Sequence, residues 1–444
     1  MLSRPEKMLH LFDLTLKLNS FPIKAAKAEL KRIVNLSEQE YALFLDNKKK
    51  EIVNYHFNNN NFYKKLVGTN PNLNWEDLPI LNKKNLQSPL SERLSDNLEV
   101  KNVYVSKTSG SSGDPFVFAK DKFCHALTWA SNIYRFGWFN IDFNTSYQAR
   151  FYGIPLDFIG NKKERIKDFL SNRYRFTIFD LSDRVLEKVL THFQSKKFDY
   201  INGYTSSIVL FAKFLEQKGI VLKTVCPTLK VCMVTSEMLF EKDKILLEKQ
   251  FGIPIVNEYG ASELDLIAFQ NPKGTWQVNS ETLFIEILGP ENNILPYGNE
   301  GRIVITSLFN TAHPFIRYDI GDVGILDEKS TLQKPILKQL TGRTNDIAIL
   351  PSGKKSPGLT FYYVTKSIIE DDGNVKEFVI KQIKINTFEI EYVSKLELTA
   401  AQIVNIEKAI ATYLESGLVF TYTRKEKLIR SKSGKLKQFT SLIS

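Results

Sequence analysis

Five short stretches of this 444-residue chain carry side chains suited to chemistry on a phosphorylated compound. The first is Lys107-Thr108-Ser109-Gly110-Ser111-Ser112-Gly113-Asp114-Pro115, directly after a strand-like run. Two glycines allow a tight loop whose N–H groups can face an anion, and the four hydroxyls add donors for phosphate oxygens. No Gly-Lys-Ser/Thr ends it, so it is not a Walker loop, and the plain alternative is a flexible turn. The second is Asn257-Glu258-Tyr259-Gly260-Ala261-Ser262-Glu263, just past the apolar run Ile253-Pro254-Ile255-Val256. A carboxylate at the carboxyl end of a strand can hold Mg²⁺, which keeps waters and phosphate oxygens as its other ligands. Asn can bond a purine edge and Tyr can stack, while the alternative is a helix N-cap at Ser262. The third is Arg317-Tyr318-Asp319-Ile320-Gly321-Asp322, where Asp322 could accept from both hydroxyls of a ribose or simply mark a turn. The fourth is Gly342-Arg343-Thr344-Asn345-Asp346. The fifth is Ser433-Gly434-Lys435, a lysine presented after a glycine turn or one more solvated cation in a basic tail.

These residues need elements to position them. Residues 1–65 read as a helical lead-in, with apolar positions at helical spacing in KAAKAELKRIV and SEQEYALFLDNKKKEIVNYHF. Its helix could lie on a membrane surface, but a weakly basic polar face favours core packing. From about residue 100 to 340, strand-like runs alternate with helical ones. YINGY, LKVCMVTSE and IPIVNEYG are strands. LEKVLTHFQSKKF, SSIVLFAKFLEQKG and EKDKILLEKQFG are helices, the last two ended by Gly219 and Gly252. This rhythm predicts an α/β fold with a mostly parallel sheet, helices on its faces and ligands at the carboxyl ends of its strands. From about residue 275 the pattern turns to β-meander in TLFIEIL and RIVITSL. The remainder predicts a small α+β domain. The expected division is a large N-terminal domain over 1–342 and a small mobile C-terminal domain over 343–444.

Composition bounds the answer. Hydrophobic residues at 43% and charged residues at 25% are those of a folded globular protein. No window of about 18 apolar residues suggests a membrane span, and the N-terminus lacks the pattern of a secretory signal. Three cysteines form no disulfide framework, so a cytoplasmic setting is expected. A net charge of +11 fits either an anionic partner or a lysine-rich solvated surface. No zinc finger or RNA-recognition signature is present, so nucleic acid is not an expected partner.

In this order, the five stretches resemble the adenylate-forming superfamily of acyl-CoA synthetases, peptide-synthetase adenylation domains and luciferases. Phenylacetate–CoA ligases and the CapK-type proteins of capsular polysaccharide loci are the most similar families. They share the Ser/Gly-rich loop, the Tyr-Gly-x-x-Glu, the Arg-Tyr-x-x-x-Asp, the Gly-Arg hinge and the late Gly-Lys. DLPILNKKNLQSPLSERL, YINGYTSSI and VTSEML are also similar, and the resemblance covers roughly residues 75–440. It implies that Thr108, Ser109, Gly110, Ser111, Ser112 and Gly113 embrace phosphates and that Glu263 ligates Mg²⁺. Ser236 and Glu237, with Asn257, Glu258, Tyr259 and Gly260, would surround adenine. Asp322 would hold the ribose, with Arg343 beside it. Asn345 takes the hinge position, where Asp or Lys is usual, and Lys435 would contact the α-phosphate and the carboxylate. The acid pocket is expected among Tyr152, Gly153, Tyr204, Ser206, Ser236 and Ala261. Some relatives carry Cys and His after Tyr-Gly-x-x-Glu; here the segment Ala268 to Gln277 has neither, so no zinc is expected.

The activity implied is activation of a carboxylic acid by ATP to an acyl-adenylate, with release of pyrophosphate. The acyl group then passes to CoA, or to an amine on a sugar or amino acid, in capsule or surface polysaccharide biosynthesis. ATP and Mg²⁺ are the expected cofactors, with CoA if the acceptor is a thiol. The basic Lys425, Lys427 and Arg430 suit CoA phosphates, an acidic glycan or a carrier protein equally. An ATP-binding scaffold without catalysis is the alternative of another class.

Overall fold

A computed structural model describes residues 11–68, 74–108, 116–153, 158–178, 181–343, 347–357, 375–430 and 436–443. The lead-in is helical. Helix Glu38–Asn59 starts at a capping box in which Ser37 and Glu40 satisfy each other's backbone N–H groups. Helix Ile23–Val34 buries Ala26, Leu30 and Ile33 against helix Lys122–Gly137, together with Leu127 and Ala130. Its apolar stripe therefore serves the core and not a membrane surface.

The central unit is a seven-stranded sheet. Strands Arg173–Phe176, Gln148–Phe151, Tyr200–Tyr204, Val231–Thr235 and Ile255–Ala261 run parallel in that order. Strands Asp265–Gln270 and Trp276–Val278 then continue antiparallel. Helices Asp183–Ser195, Thr205–Lys218 and Glu241–Phe251 cover one face, with Leu190, Phe193, Phe211, Leu215, Leu247 and Phe251 in the shared core. Gly219 and Gly252, at φ of 65° and 66°, end two of these helices in the left-handed region, as the sequence predicts.

A five-stranded sheet lies beside it. Strand Tyr318–Leu326 pairs antiparallel with Glu300–Ser307 and Leu337–Arg343 and parallel with the short Leu81–Asn82; Leu283–Leu288 closes the far edge. Beyond residue 374, strands Val375–Lys384, Thr387–Ser394, Val419–Arg424 and Phe439–Ser441 form a four-stranded sheet. Helix Ala400–Tyr413 joins this sheet's core through Ile406 and Ile410. The fold is thus α/β, with a large N-terminal domain and a small C-terminal α+β domain.

Two local expectations are corrected. Asn257 to Gly260 lie within strand Ile255–Ala261, as the reading of IPIVNEYG as a strand has it and not past the strand's end, because each pairs with a partner on a neighbouring strand. Ser262 caps no helix. Residues 262–264 turn the chain into strand Asp265–Gln270, whose apolar run Leu266 to Phe269 is buried.

Candidate active site

The two large sheets meet where the motifs lie. Gly260 is a glycine for a steric reason: a Cβ there would stand 2.5 Å from the Asp265 carbonyl oxygen on the return strand. This tight hairpin delivers Tyr259 and Glu263 to the neighbouring sheet. The Tyr259 hydroxyl donates to Asp322 Oδ2 at 2.7 Å. The buried Tyr318 hydroxyl donates to Glu263 Oε1 at 3.0 Å. Two hydrogen bonds therefore join residues about sixty positions apart, and both tie the second motif to the third. Asp322 is the register partner of Arg343 on the adjacent strand, so the start of the fourth motif lies beside the third.

Glu263 is a buried carboxylate that could hold a metal ion. It is 7% exposed, and Tyr318 engages one of its oxygens. Behind it lies a cavity of about 20 Å³, room for one water, lined also by Lys120, Thr128, Asp265 and Asn279. A single carboxylate suits Mg²⁺, whose remaining ligands are water and phosphate oxygens. Among the described residues, no cluster of three or more His, Cys, Asp or Glu side chains is arranged for a metal.

The expected nucleotide wall divides. Thr108 closes the base of the glycine loop: its N–H donates to Phe116 O at 2.9 Å, and its Oγ1 accepts from Phe116 N at 3.0 Å. Strands Tyr104–Lys107 and Val117–Lys120 form the antiparallel stem. Ser109 to Gly113 lie outside the described residues, as do Asn345 and Lys435. Ser236 follows strand Val231–Thr235 at φ 69°, a left-handed conformation that a serine adopts rarely. Glu237 is committed to main-chain donors. Its carboxylate accepts from Ser206 N at 2.7 Å, at the start of a helix, and from Leu436 N at 2.9 Å. Glu258 Oε1 accepts from the Thr235 hydroxyl at 3.0 Å, and burial raises its pKa.

The expected acid pocket comes together in part. The Tyr152 and Tyr204 rings are 4.6 Å apart, and the Gly153 carbonyl accepts from Arg175 at 2.8 Å. Gly203 permits this approach, since a Cβ there would stand 2.5 Å from Phe151. Ser206 instead turns to the C-terminal domain, its hydroxyl 3.2 Å from Arg430. Arg430 also pairs with Glu377 at 2.6 Å, so this cation is committed within the protein. Ala261 sits at the hairpin, partly buried against the core at the sheet junction.

Three participants escaped the sequence reading. Tyr318 sits inside a motif whose Asp drew the attention, and alternation along its strand was the available signal. Arg317 is structural: fully buried, it pairs with Glu286 at 3.3 Å and donates to the carbonyl oxygens of Trp75, Glu76 and Leu78. Arg150 lies over the Tyr152 ring at 3.9 Å, and no motif pointed to it.

Known proteins place this geometry. No family model matches the chain. It is 24% identical over 319 residues to protein CapK of Staphylococcus aureus, covering 67% of this chain and 66% of CapK. It is 25% identical over 229 residues to phenylacetate–coenzyme A ligase of Aromatoleum evansii, covering 47% of this chain and 50% of that enzyme. The matches thus span just under two thirds and half of these relatives' lengths. The fold superposes on 2-hydroxyisobutyryl-CoA ligase in its postadenylation state with a TM-score of 0.70, 15% identity, and coverage of 92% of this chain and 91% of that one. The thioesterification state of the same enzyme gives 0.55 at 15% identity, over 89% and 88%. Amide bond synthetase McbA of Marinactinospora thermotolerans gives 0.54 at 13% identity, over 75% and 67%. The chain is thus similar in sequence to CapK and to phenylacetate–CoA ligase, and it shares the fold of adenylate-forming ligases such as 2-hydroxyisobutyryl-CoA ligase.

Proposed function

We propose that the protein activates a carboxylic acid with ATP, releases pyrophosphate, and transfers the acyl group from the adenylate to CoA or to an amine. The observation that carries this reading is the pair of cross-sheet hydrogen bonds, Tyr259 to Asp322 and Tyr318 to Glu263, which brings the second and third motifs to one place. A carboxylate is a poor acyl donor because its leaving group would be an oxide. In the first step its oxygen attacks the α-phosphorus, the bond to the bridging oxygen breaks, and pyrophosphate leaves. In the second a thiol or amine attacks the acyl carbon and AMP departs. The reacting acid is already ionised near neutral pH, so the protein's work is positioning and charge neutralisation rather than proton removal.

Asp322 holds the ribose, Thr108 to Gly113 and Lys435 bind phosphates, and Arg343 stands beside them. Glu263 would hold Mg²⁺, which supplies neutralisation of phosphate charge when bound. The small domain supports the assignment of Lys435 to adenylation. Leu436, the next residue, donates to Glu237 beside Ser236, and the chain fits a postadenylation arrangement better than a thioesterification one. Residues 343–444 act as the mobile unit, with Asn345 at the hinge. The sequence resemblance to CapK-type proteins of capsular polysaccharide loci, and the fold shared with an amide bond synthetase, extend the proposal to an amine or amino-sugar acceptor.

The test is acid-dependent pyrophosphate release from ATP and Mg²⁺ with hydroxylamine as trap, across aryl, fatty, amino and dicarboxylic acids. Lys435→Ala is expected to slow adenylate formation at least a hundredfold while leaving transfer from preformed adenylate within about tenfold. ATP binding without pyrophosphate release for any acid in the panel would sink the activity. Equal loss in both half-reactions would remove Lys435 from its role.

A further inference from the structure

The crevice at the carboxyl ends of the parallel strands holds a cation that the five motifs do not explain. Arg150 is the third residue of strand Gln148–Phe151. In register it stands beside Arg175 and Asn202, so these three share one face of the sheet. By the same alternation that face carries Tyr204, Thr235 and Glu258 at its upper end.

The arginines of this edge differ in how they are satisfied. Arg173 bonds Asp168. Arg175 bonds both oxygens of Asp168 at 2.9 Å and Glu164 at 2.8 Å. Arg150 has no hydrogen-bond or ion-pair partner among the described residues, and its Nε is buried without an acceptor. Its guanidinium lies over the Tyr152 ring, which holds it in place while leaving its donor edges unused. Arg135 and Arg317 also leave buried donors unmatched, but each has an ion-pair partner; the whole Arg150 side chain has none among the described residues, and a buried donor without an acceptor calls for a water or a ligand. The planar fork of an arginine matches a carboxylate, and Tyr152 packed on Tyr204 adds apolar ring surface beside it.

We propose that Arg150 binds a second carboxylate on the acid, so that the substrate class is dicarboxylic acids with one end activated and the other held in this crevice. This rests on the adenylating function proposed above. Glu258 shares the face but does not cancel the arginine. It forms no ion pair with Arg150 and is engaged by the Thr235 hydroxyl; burial raises its pKa, against the lowering effect of the nearby Arg150 charge.

The experiment compares the full-length wild type with Arg150→Gln and with Arg150→Lys, which keeps charge but loses the fork. Calorimetric titration uses aliphatic and aromatic dicarboxylates against monocarboxylates of equal carbon number, and pyrophosphate release is read alongside. At least one dicarboxylate should bind wild type tenfold or more tightly than its monocarboxylate match. Arg150→Gln should abolish that preference, and Arg150→Lys should retain part of it. Equal binding of both series, no binding of any dicarboxylate, or a preference unchanged in Arg150→Gln overturns the assignment. Release with monocarboxylates alone overturns it while upholding adenylation. Dicarboxylate binding that depends on Arg150, without release, upholds it and overturns adenylation instead.

Discussion

The Tyr318 hydroxyl is the least conspicuous polar group of the site and one of the most constrained. It lies on a buried strand, 1% exposed, and its proton goes to Glu263. Burial and the adjacent carboxylate both raise its pKa, so it remains a donor at every physiological pH. Its effect is to orient the carboxylate proposed to hold Mg²⁺. Groups of this kind change metal affinity about 10–100-fold when removed. Tyr318→Phe should therefore raise the Mg²⁺ concentration needed for half-maximal pyrophosphate release by about tenfold or more. Thermal stability should change little. A Mg²⁺ titration identical to that of wild type would show that Glu263 needs no such partner. The motif itself was legible in the sequence; which of its side chains touches which was not, because the partner comes from 55 residues away.

The hairpin Ile255–Ala261 to Asp265–Gln270 is the element that carries most of the site, and it is anchored from behind. Asp265 takes a left-handed φ of 59° at the turn. Its carboxylate pairs with Lys120 and accepts from Thr128 Oγ1 at 2.6 Å on helix Lys122–Gly137. Lys120 is 2% exposed, so its charge depends on this partner. Removing one member of a buried pair costs about 3–5 kcal/mol, whereas replacing both by apolar groups is often neutral. Asp265→Ala should lower unfolding stability by about that amount, and adding Lys120→Met should restore most of it. Urea denaturation of the single and double variants decides; additive losses would argue that the pair carries no coupling. The strand Ile255–Ala261 was readable from the β-branched run at its start and its helix-ending Gly252 upstream. The return strand was not, because Ser262 before an apolar run equally suits a helix, and only pairing with the neighbouring strand distinguishes them.

At the scale of the molecule, three neutral histidines hold the N-terminal region together. His56 Nε2 donates at 2.8 Å to the Asn310 carbonyl oxygen, His125 stacks on Tyr104 at 3.8 Å, and His313 packs beside Phe315. Burial lowers the pKa of His56 to about 4 and of His125 to about 3. Burial and the Arg93 charge hold His313 well below its usual value. The unfolded chain protonates these rings near pH 6.5 and the folded one does not. Below that pH the unfolded state thus binds more protons, and stability falls as pH drops from about 6.5 toward 4. The limiting slope for three groups is about 4 kcal/mol per pH unit. Urea midpoints should fall steadily from pH 7 to pH 5, and a flat profile would contradict the neutral burial of these rings.

The α/β rhythm, the helix-ending glycines, the small C-terminal α+β unit and the order of the five motifs all follow from local pattern. Periodicity, propensity and turn chemistry act over a few residues, so they are written directly in the chain. Contacts across sheets are not. Asp322 meets Tyr259, Glu263 meets Tyr318, and Glu237 meets Leu436 from 199 residues away only after the sheets and the C-terminal unit have docked. Arg150 is the extreme case. An arginine in a strand pattern reads as a solvated side chain, and only the packed crevice shows that its neighbours are paired and it is not. Whether a charge is satisfied is a property of its surroundings in three dimensions, and the tertiary structure alone decides it.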